Sequence, residues 1–306
     1  MVDCRFLPVP DALVGERLDI ALTRMLGLSR SAAATLVGQG KVRVNAVAQQ
    51  KSYRLLVSDI IEVELPSSRP ARPSLAEGME ILYDDEDVVV VNKPAGVAAH
   101  TGPGWDGPTV LASLESAGYR ISTSGPPERQ GIVHRLDVGT SGVMAVAKSE
   151  LAYTKLKYAF KHRLMHKTYH AVVTGHPDPD RGTIDAPIGR HPSKEWRMAV
   201  LASGRRAVTH YRTLELLPGA ALLEVDLETG RTHQIRVHFS HFGHPCVGDV
   251  FYGADEVQAG RLNLVRQWLH ANELRFQHPR TALTTTVTAP YAPDLAQVLK
   301  ALRNPE

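Results

Sequence analysis

The sequence predicts an α+β protein of two unequal parts, the larger built on a mainly antiparallel or mixed β-sheet with flanking helices. Three observations predict it. Strand-like runs follow one another without an intervening helix through much of the second part, which argues against a doubly wound parallel sheet. The stretch Pro66–Ala76 (PSSRPARPSLA) is rich in Pro and Ser, lacks apolar periodicity and reads as a linker. The total of 306 residues suits one medium domain with a small accessory one. The expected division is therefore residues 1–65, a linker at 66–76, and a domain at 77–306.

In the first part, Leu18, Ala21, Leu22, Met25 and Leu26 recur at helical spacing, which predicts an amphipathic helix over Glu16–Leu26. Ser29 is placed to cap a second helix reaching Val37, ended by Gly38 and Gly40. Short strands are expected at Lys41–Asn45 and Asp59–Leu65. In the second part, strands are expected at Met79–Tyr83, Val88–Asn92, Gly131–Leu136, Val143–Lys148, Thr168–Val173, Val208–Leu216, Leu222–Leu227 and Thr284–Thr288. Helices are expected at Thr109–Glu115, Glu150–His162, Thr232–His241 and Ala292–Leu302. The Gly- and Pro-rich pieces Thr101–Pro108 and Ser122–Glu128 read as surface loops.

Composition narrows the class. Hydrophobic residues make up 43% and charged residues 22%, ordinary for a globular protein. The N-terminus has no apolar core of a signal peptide, and no window approaches the roughly 20 apolar residues of a membrane span. A cytoplasmic location without membrane partners is expected. Cys4 and Cys246 stand alone and far apart, which excludes a disulfide scaffold and a CxxC zinc site. The net charge of +3 is nearly neutral, but its distribution is not even. Arg30, Lys41, Arg43, Lys51 and Arg54 lie in a stretch free of acids, as do Lys155, Lys157, Lys161, Arg163 and Lys167. Arg190, Lys194, Arg197, Arg205, Arg206 and Arg212 accompany only Glu195. One such block is an ordinary solvated face; three in one chain point to a polyanion.

The residues able to carry chemistry fall in three places. In Val133–Ser149 (VHRLDVGTSGVMAVAKS) an apolar run ends in Arg-Leu-Asp before a turn of Gly139, Thr140, Ser141 and Gly142. Asp137 is thereby expected at a strand end, beside small residues that a ligand could approach closely. On composition alone, Asp137 is better explained as an acceptor of turn hydrogen bonds. Lys167, Tyr169 and Ala171 alternate and share one strand face. In Gly230–Pro245 (GRTHQIRVHFSHFGHP), Arg231, Ile235 and His238 are expected on one helical face near a helix N-terminus. His233, His238, His241 and His244 suggest a metal by number, but no carboxylate or thiolate set completes a site, so packing or RNA contact accounts for them better.

These motifs carry a resemblance. HRLDVGTSGVMAVAK resembles the HRLD-x-x-TSG motif of the RluA-type pseudouridine synthases, of the ribosomal large-subunit type. DDEDVVVVNKPAGVAAH (Asp84–His100), KTYHAVV (Lys167–Val173) and GRTHQIRVH (Gly230–His238) resemble three further family motifs in the family's order. Residues from Gly15 to Asn45 resemble an S4 RNA-binding domain, departing from it at Asn45-Ala46, where Asn-Gly is usual, and at Ser58-Asp59, where Gly-Asp is usual. The resemblance implies an S4-like domain followed by a pseudouridine-synthase domain, and isomerisation of uridine to pseudouridine in RNA.

It further implies site roles. Asp137 would be the essential carboxylate, charged at neutral pH as a nucleophile or base must be, with attack on C1′, attack on C6 and removal of a sugar proton all open to it. Arg231 would pair with Asp137. Tyr169 would stack on the uracil and take part in removing the C5 proton, a role in which an ordinary phenol needs help. Arg135 would enter the space vacated by the extruded base. His134, Thr140, Ser141, Lys167, Ile235 and Arg236 would contact the substrate. Arg30, Lys41, Arg43, Lys51, Lys155, Lys157, Lys161 and Arg163 would contact phosphates. The reaction needs no cofactor or metal. The implied partner is RNA, with 23S ribosomal RNA favoured over transfer RNA, and the chain is expected to be a monomer. A glycoside hydrolase usually needs two carboxylates, and a zinc deaminase needs a cysteine pair and an HxE sequence, both missing here. A non-catalytic ribosome-assembly factor is the alternative from another class.

Overall fold

The computed structural model describes residues 3–28, 30–65, 76–102, 104–194 and 197–304. The expected cap Ser29 and residues 66–75 of the linker expected at 66–76 lie outside them. The chain divides into two compact units, Met1–Arg72 and Pro73–Glu306.

The first unit is a four-stranded antiparallel sheet with two helices. Its elements are β1 (Asp3–Pro8), α1 (Leu18–Leu26), α2 (Arg30–Gly38), β2 (Val42–Val44), β3 (Val47–Ala48) and β4 (Ile60–Leu65), with strand order β1-β4-β2-β3. Leu18, Ala21 and Leu22 of α1 pack on Val42, Val44, Ile61 and Val63 of the sheet, as the helical and strand periods predict. β1 had no counterpart among the expected strands. The β2–β3 turn places Asn45 at φ 51° and Ala46 at φ 66°. An L-residue in this left-handed region costs about 1 kcal/mol, which explains why glycine usually stands at the second position. Side chains hold the turn instead: buried Asp59 accepts from Asn45 Nδ2 at 2.8 Å, Tyr53 OH at 3.1 Å and Leu56 N at 2.8 Å.

The second unit is a mixed nine-stranded sheet covered on both faces. In chain order it comprises β5 (Glu80–Asp84), β6 (Val88–Lys93), α3 (Val110–Ser116), β7 (Ser141–Ala147), α4 (Glu150–Lys161), β8 (His166–Thr174), β9 (Arg181–Asp185), β10 (Ile188–Arg190), β11 (Met198–Val200), β12 (Val208–Leu217), β13 (Ala220–Leu227), α5 (Gln234–His241), α6 (Glu256–Arg261), β14 (Leu269–Gln277), β15 (Thr284–Thr288) and α7 (Pro293–Arg303). The sheet order is β5-β6-β7-β14-β8-β13-β12-β9, with β15 also paired to β14 and β10–β11 forming a separate hairpin. Only the β7–β14 pair is parallel.

Burial explains the sequence of the central strands. The four valines of β6 alternate between two cores: Val89 and Val91 meet Val110 and Leu114 of α3, while Val88 and Val90 meet Ala152 and Leu156 of α4. A strand covered on both faces reads as a continuous apolar run, not as an alternation. Tyr169, Ala171 and Val173 of β8 share the α3 face with Ile235 and Phe239 of α5, whereas Val172 faces α7.

Two expectations change. Gly131–Leu136 is not a strand. It is an extended segment with one bridge, Ile132 to Val146, and Ala145 N donates to the His134 ring instead of to a backbone carbonyl. Its apolar residues reported burial, not ladder pairing. Conversely, β14 was not expected, because its alternation (Leu269, Ala271, then Leu274, Phe276) slips by one residue at a bulge between Ala271 and Glu273. It lies at the centre of the sheet, and its polar side chains are satisfied there: His270 bonds Ser141 Oγ and faces the Ala289 carbonyl.

Candidate active site

Asp137 follows the extended 131–136 segment and opens the turn into β7, with Thr140 N donating to its carbonyl at 3.0 Å. The sequence placed it at a strand end; it stands instead in a turn fixed by three buried donors. Lys93 Nζ donates to the Val138 carbonyl at 3.3 Å, and to those of Pro94 at 2.9 Å and Val97 at 2.7 Å. Arg266 Nη1 donates to Gly139 O at 3.1 Å, and Gln267 Nε2 to Thr140 Oγ1 at 3.1 Å. Burial draws the Lys93 ammonium down to about 7, opposed by the charge of Asp137. None of Lys93, Arg266 and Gln267 was named from sequence.

The small residues of this turn serve the sheet. Gly142 has φ 116°, and a Cβ there would sit 2.1 Å from the Ala271 carbonyl oxygen of β14. The close approach expected of a ligand is made by a neighbouring strand. Ser141 also turns away from the cavity: it is fully buried, bonded to His270 Nδ1 at 2.9 Å and reached by Arg266. It is not among the residues that line the cavity beside Asp137. His134 is fixed as well, its Nε2 accepting from Ala145 N at 3.0 Å and its ring stacked on Phe160 at 4.4 Å. Burial, with the nearby Lys167 charge, pushes this imidazole down to about 3. It is a neutral support for the segment carrying Arg135 and Asp137.

A cavity of about 530 Å³ opens beside Asp137, a volume in the range of small-molecule sites. Arg135, Asp137, Thr140, Lys167, Tyr169, Ile235 and Arg236 line it, along with His134. Six of the expected substrate residues and all three expected catalytic ones, Arg231 included, thus line it. Arg135 is exposed and donates to Thr232 Oγ1 at 3.0 Å. Tyr169 is buried, and burial first, then the Asp137 charge, push its phenol above the ordinary value. Its ring is therefore neutral at physiological pH, and a part in proton removal needs help from its surroundings.

The partner of Asp137 differs from the expectation. Helix α5 begins at Gln234, so Arg231 precedes it, and Arg231 Nε donates to Arg206 O at 3.0 Å. The guanidinium beside Asp137 is that of Arg236, with Nη1 3.9 Å from Oδ2. Arg236 is itself clamped by Asp249, which accepts Nε at 2.6 Å and Nη2 at 2.8 Å. His233 Nε2 lies 4.0 Å from the same Oδ2, and its Nδ1 is 2.8 Å from Tyr252 OH. His233 holds φ 56°, a left-handed conformation rare for a residue with a Cβ and typical of functional sites. The sequence grouped it with His238, His241 and His244, for which packing or RNA contact was expected. Of those, His238 bonds Thr209 and Ala186 O, and His244 bonds Thr174 O. Among the described residues no group of three or more His, Cys, Asp or Glu is arranged to hold a metal.

Of the expected phosphate contacts, Lys155, Lys157 and Lys161 are exposed on α4, and Arg163 pairs with Glu228 at 2.6 Å. In the first unit, Arg43 and Lys51 are exposed and Lys41 is half-buried. The side chain of Arg30 lies outside what the structure describes.

Residues 87–241 match the RNA pseudouridylate synthase family, and residues 16–61 match the S4 domain. The chain is 58% identical over 303 residues to an uncharacterized RNA pseudouridine synthase of Mycobacterium tuberculosis (strain CDC 1551 / Oshkosh), covering 98% of each. It is 39% identical to the ribosomal large subunit pseudouridine synthase D of Nitrosomonas europaea, over 97% of this chain and 88% of that one. Its fold is similar to that of human RNA pseudouridylate synthase domain containing 1, with a TM-score of 0.59 and 30% identity over 74% of this chain and 96% of that chain. The fold is that of an RNA-modifying isomerase, joined to an S4 domain. The chain belongs to the RNA pseudouridine synthase family.

Proposed function

We propose that this enzyme isomerises uridine to pseudouridine in large-subunit ribosomal RNA, with Asp137 as the essential carboxylate. One observation carries the choice of Asp137. Among the described residues two carboxylates line the cavity, and Glu228 accepts from two guanidiniums at 2.6 and 2.8 Å, whereas Asp137 has no cation closer than 3.9 Å. Asp137 is oriented and uncommitted, as a nucleophile must be. Arg236 and His233 hold it in place, and Arg236 is prevented from collapsing onto it by the Asp249 clamp.

In the reaction the N1–C1′ bond breaks, the uracil turns, C5 joins C1′, and the C5 proton leaves. Tyr169 supplies a flat, neutral wall for the turning base, while water or a carboxylate receives the proton. Arg135, exposed at the cavity and tethered only to Thr232, is free to occupy the gap left when the nucleotide is extruded. The large-subunit RNA target is supported by the relatives named for that substrate, which align over nearly the whole chain including the S4 domain.

The test is pseudouridine mapping by carbodiimide adducts in RNA from cells with and without this gene, complemented by the Asp137→Asn variant. Loss of one or a few large-subunit sites, unrestored by the variant, is expected. Loss confined to transfer RNA overturns the target, and full restoration by Asp137→Asn overturns the catalytic assignment.

A further inference from the structure

A second group of charges lines the same cavity without touching Asp137. Lys161, Arg163, Lys167, Arg205 and Arg231 converge there around one carboxylate, Glu228. Both Arg163 Nη1 and Arg206 Nη1 donate to Glu228 Oε1, which braces two guanidiniums at a fixed separation. Arg231 is braced through its backbone. Buried Gln234 accepts from Arg231 N at 3.0 Å and from Thr229 Oγ1 at 2.8 Å, while its amide donates to Val208 O and Thr209 Oγ1. Every polar atom of that side chain is used to fix the 229–231 loop against β12.

Arg231 itself donates one bond, from Nε to the Arg206 carbonyl, and no carboxylate among the described residues lies within ion-pair distance of it. Its electrostatic neighbours are like charges: burial first, then Arg205 and Arg163, disfavour its charged form. Burial and Arg163 do the same to Lys167. A preorganised wall of crowded cations, half desolvated and short of anions, gains most from a ligand that brings negative charge in fork geometry.

We infer that Arg231, Arg205 and Lys167, flanked by Arg163 and Arg206 on Glu228, form a subsite for one phosphodiester of the RNA strand beside the reacting nucleotide, anchored by Arg231. The inference rests on the reading that RNA enters this cavity. It assigns Arg231 to binding and leaves Asp137 to Arg236 and His233.

The experiment is fluorescence anisotropy with a labelled oligouridylate of about twelve nucleotides, titrated with full-length protein between about 50 and 300 mM KCl. Arg231→Ala is expected to weaken binding by about tenfold at the lower salt and to reduce the slope of log K against log salt by about 0.7, the share of one single-strand phosphate. Arg231→Lys retains a charge and is expected to keep the slope with a smaller loss of affinity. Arg275→Ala, which removes one exposed charge on β14 away from the cavity, leaves the slope as in the parent protein. An unchanged slope in Arg231→Ala overturns the subsite, as does a parent protein that shows no salt-dependent binding. Parental affinity with a reduced single-turnover rate also overturns it, by placing Arg231 in the chemistry. A parent that binds oligouridylate yet modifies no RNA refutes the proposed function and leaves the subsite standing.

Discussion

Asp249 stands 13 residues beyond Arg236 in sequence, and its substitution tests whether the clamp on Arg236 matters. The Asp249 side chain is 1% exposed and that of Arg236 is 10% exposed, so the pair is shielded from solvent. Asp249→Asn keeps the shape but removes the charge and turns an NH₂ toward Nη2, a donor facing a donor. Removing one partner of a buried ion pair costs about 3–5 kcal/mol, and the retained carbonyl acceptor argues for the lower end, about 3 kcal/mol. In a unit of this size each kcal/mol lowers the melting temperature by about 2–4 °C, so a fall of about 6–12 °C is expected. The rate should fall further than the stability implies. Arg236 Nη1 is 3.9 Å from Asp137 Oδ2, and a displacement of about 1 Å at a reacting centre costs on the order of 100-fold. Calorimetry gives the melting temperature, and single-turnover tritium release from RNA labelled at uridine C5 gives the rate at a temperature where the variant is folded. Melting within about 2 °C of the parent together with a rate within about threefold would refute the clamp as the device that positions Arg236.

Other perturbations follow from the same geometry. Gly142→Ala would drive a Cβ into the Ala271 carbonyl at a φ that L-residues rarely adopt, so a loss of more than about 3 kcal/mol is expected, read as failure to accumulate folded protein; a variant with parental denaturant midpoint would show that β7 and β14 separate easily. His134 has a folded value of about 3 against 6.5 unfolded, so its contribution is complete above pH 6.5 and is lost as pH falls toward 3, about 2 kcal/mol by pH 5. His134→Gln, able to accept the Ala145 N–H without titrating, should flatten that part of the acid slope in urea unfolding at neutral pH and at about pH 5, and an unaltered slope refutes the assignment. For the first unit, Lys41→Ala with Arg43→Ala should lower the salt slope of RNA binding by about 1.4, two phosphate contacts, and an unchanged slope counts against docking through β2.

Much of this was legible in one sequence because it is local. Helical spacing located α1, alternation placed Lys167 and Tyr169 on one face of β8, and the resemblance of the Arg-Leu-Asp stretch to a family motif singled out Asp137. The acid-free blocks pointed to a polyanion before any fold was known. What the sequence misjudged is non-local. Arg231 and Arg236 occupy one short motif, and choosing between them required knowing that α5 starts at Gln234, that His233 is left-handed, and that Asp249 waits to clamp Arg236. Gly142 reads identically whether a ligand or a strand approaches it, and only the parallel pairing of β7 with β14 decides. β14 itself is central yet hard to read, because a bulge between Ala271 and Glu273 shifts its alternation and its polar side chains are satisfied by partners that the fold alone brings near. Periodicity records which face of an element is dry; which charge meets which depends on chain segments far apart in sequence, and tertiary structure alone decides that.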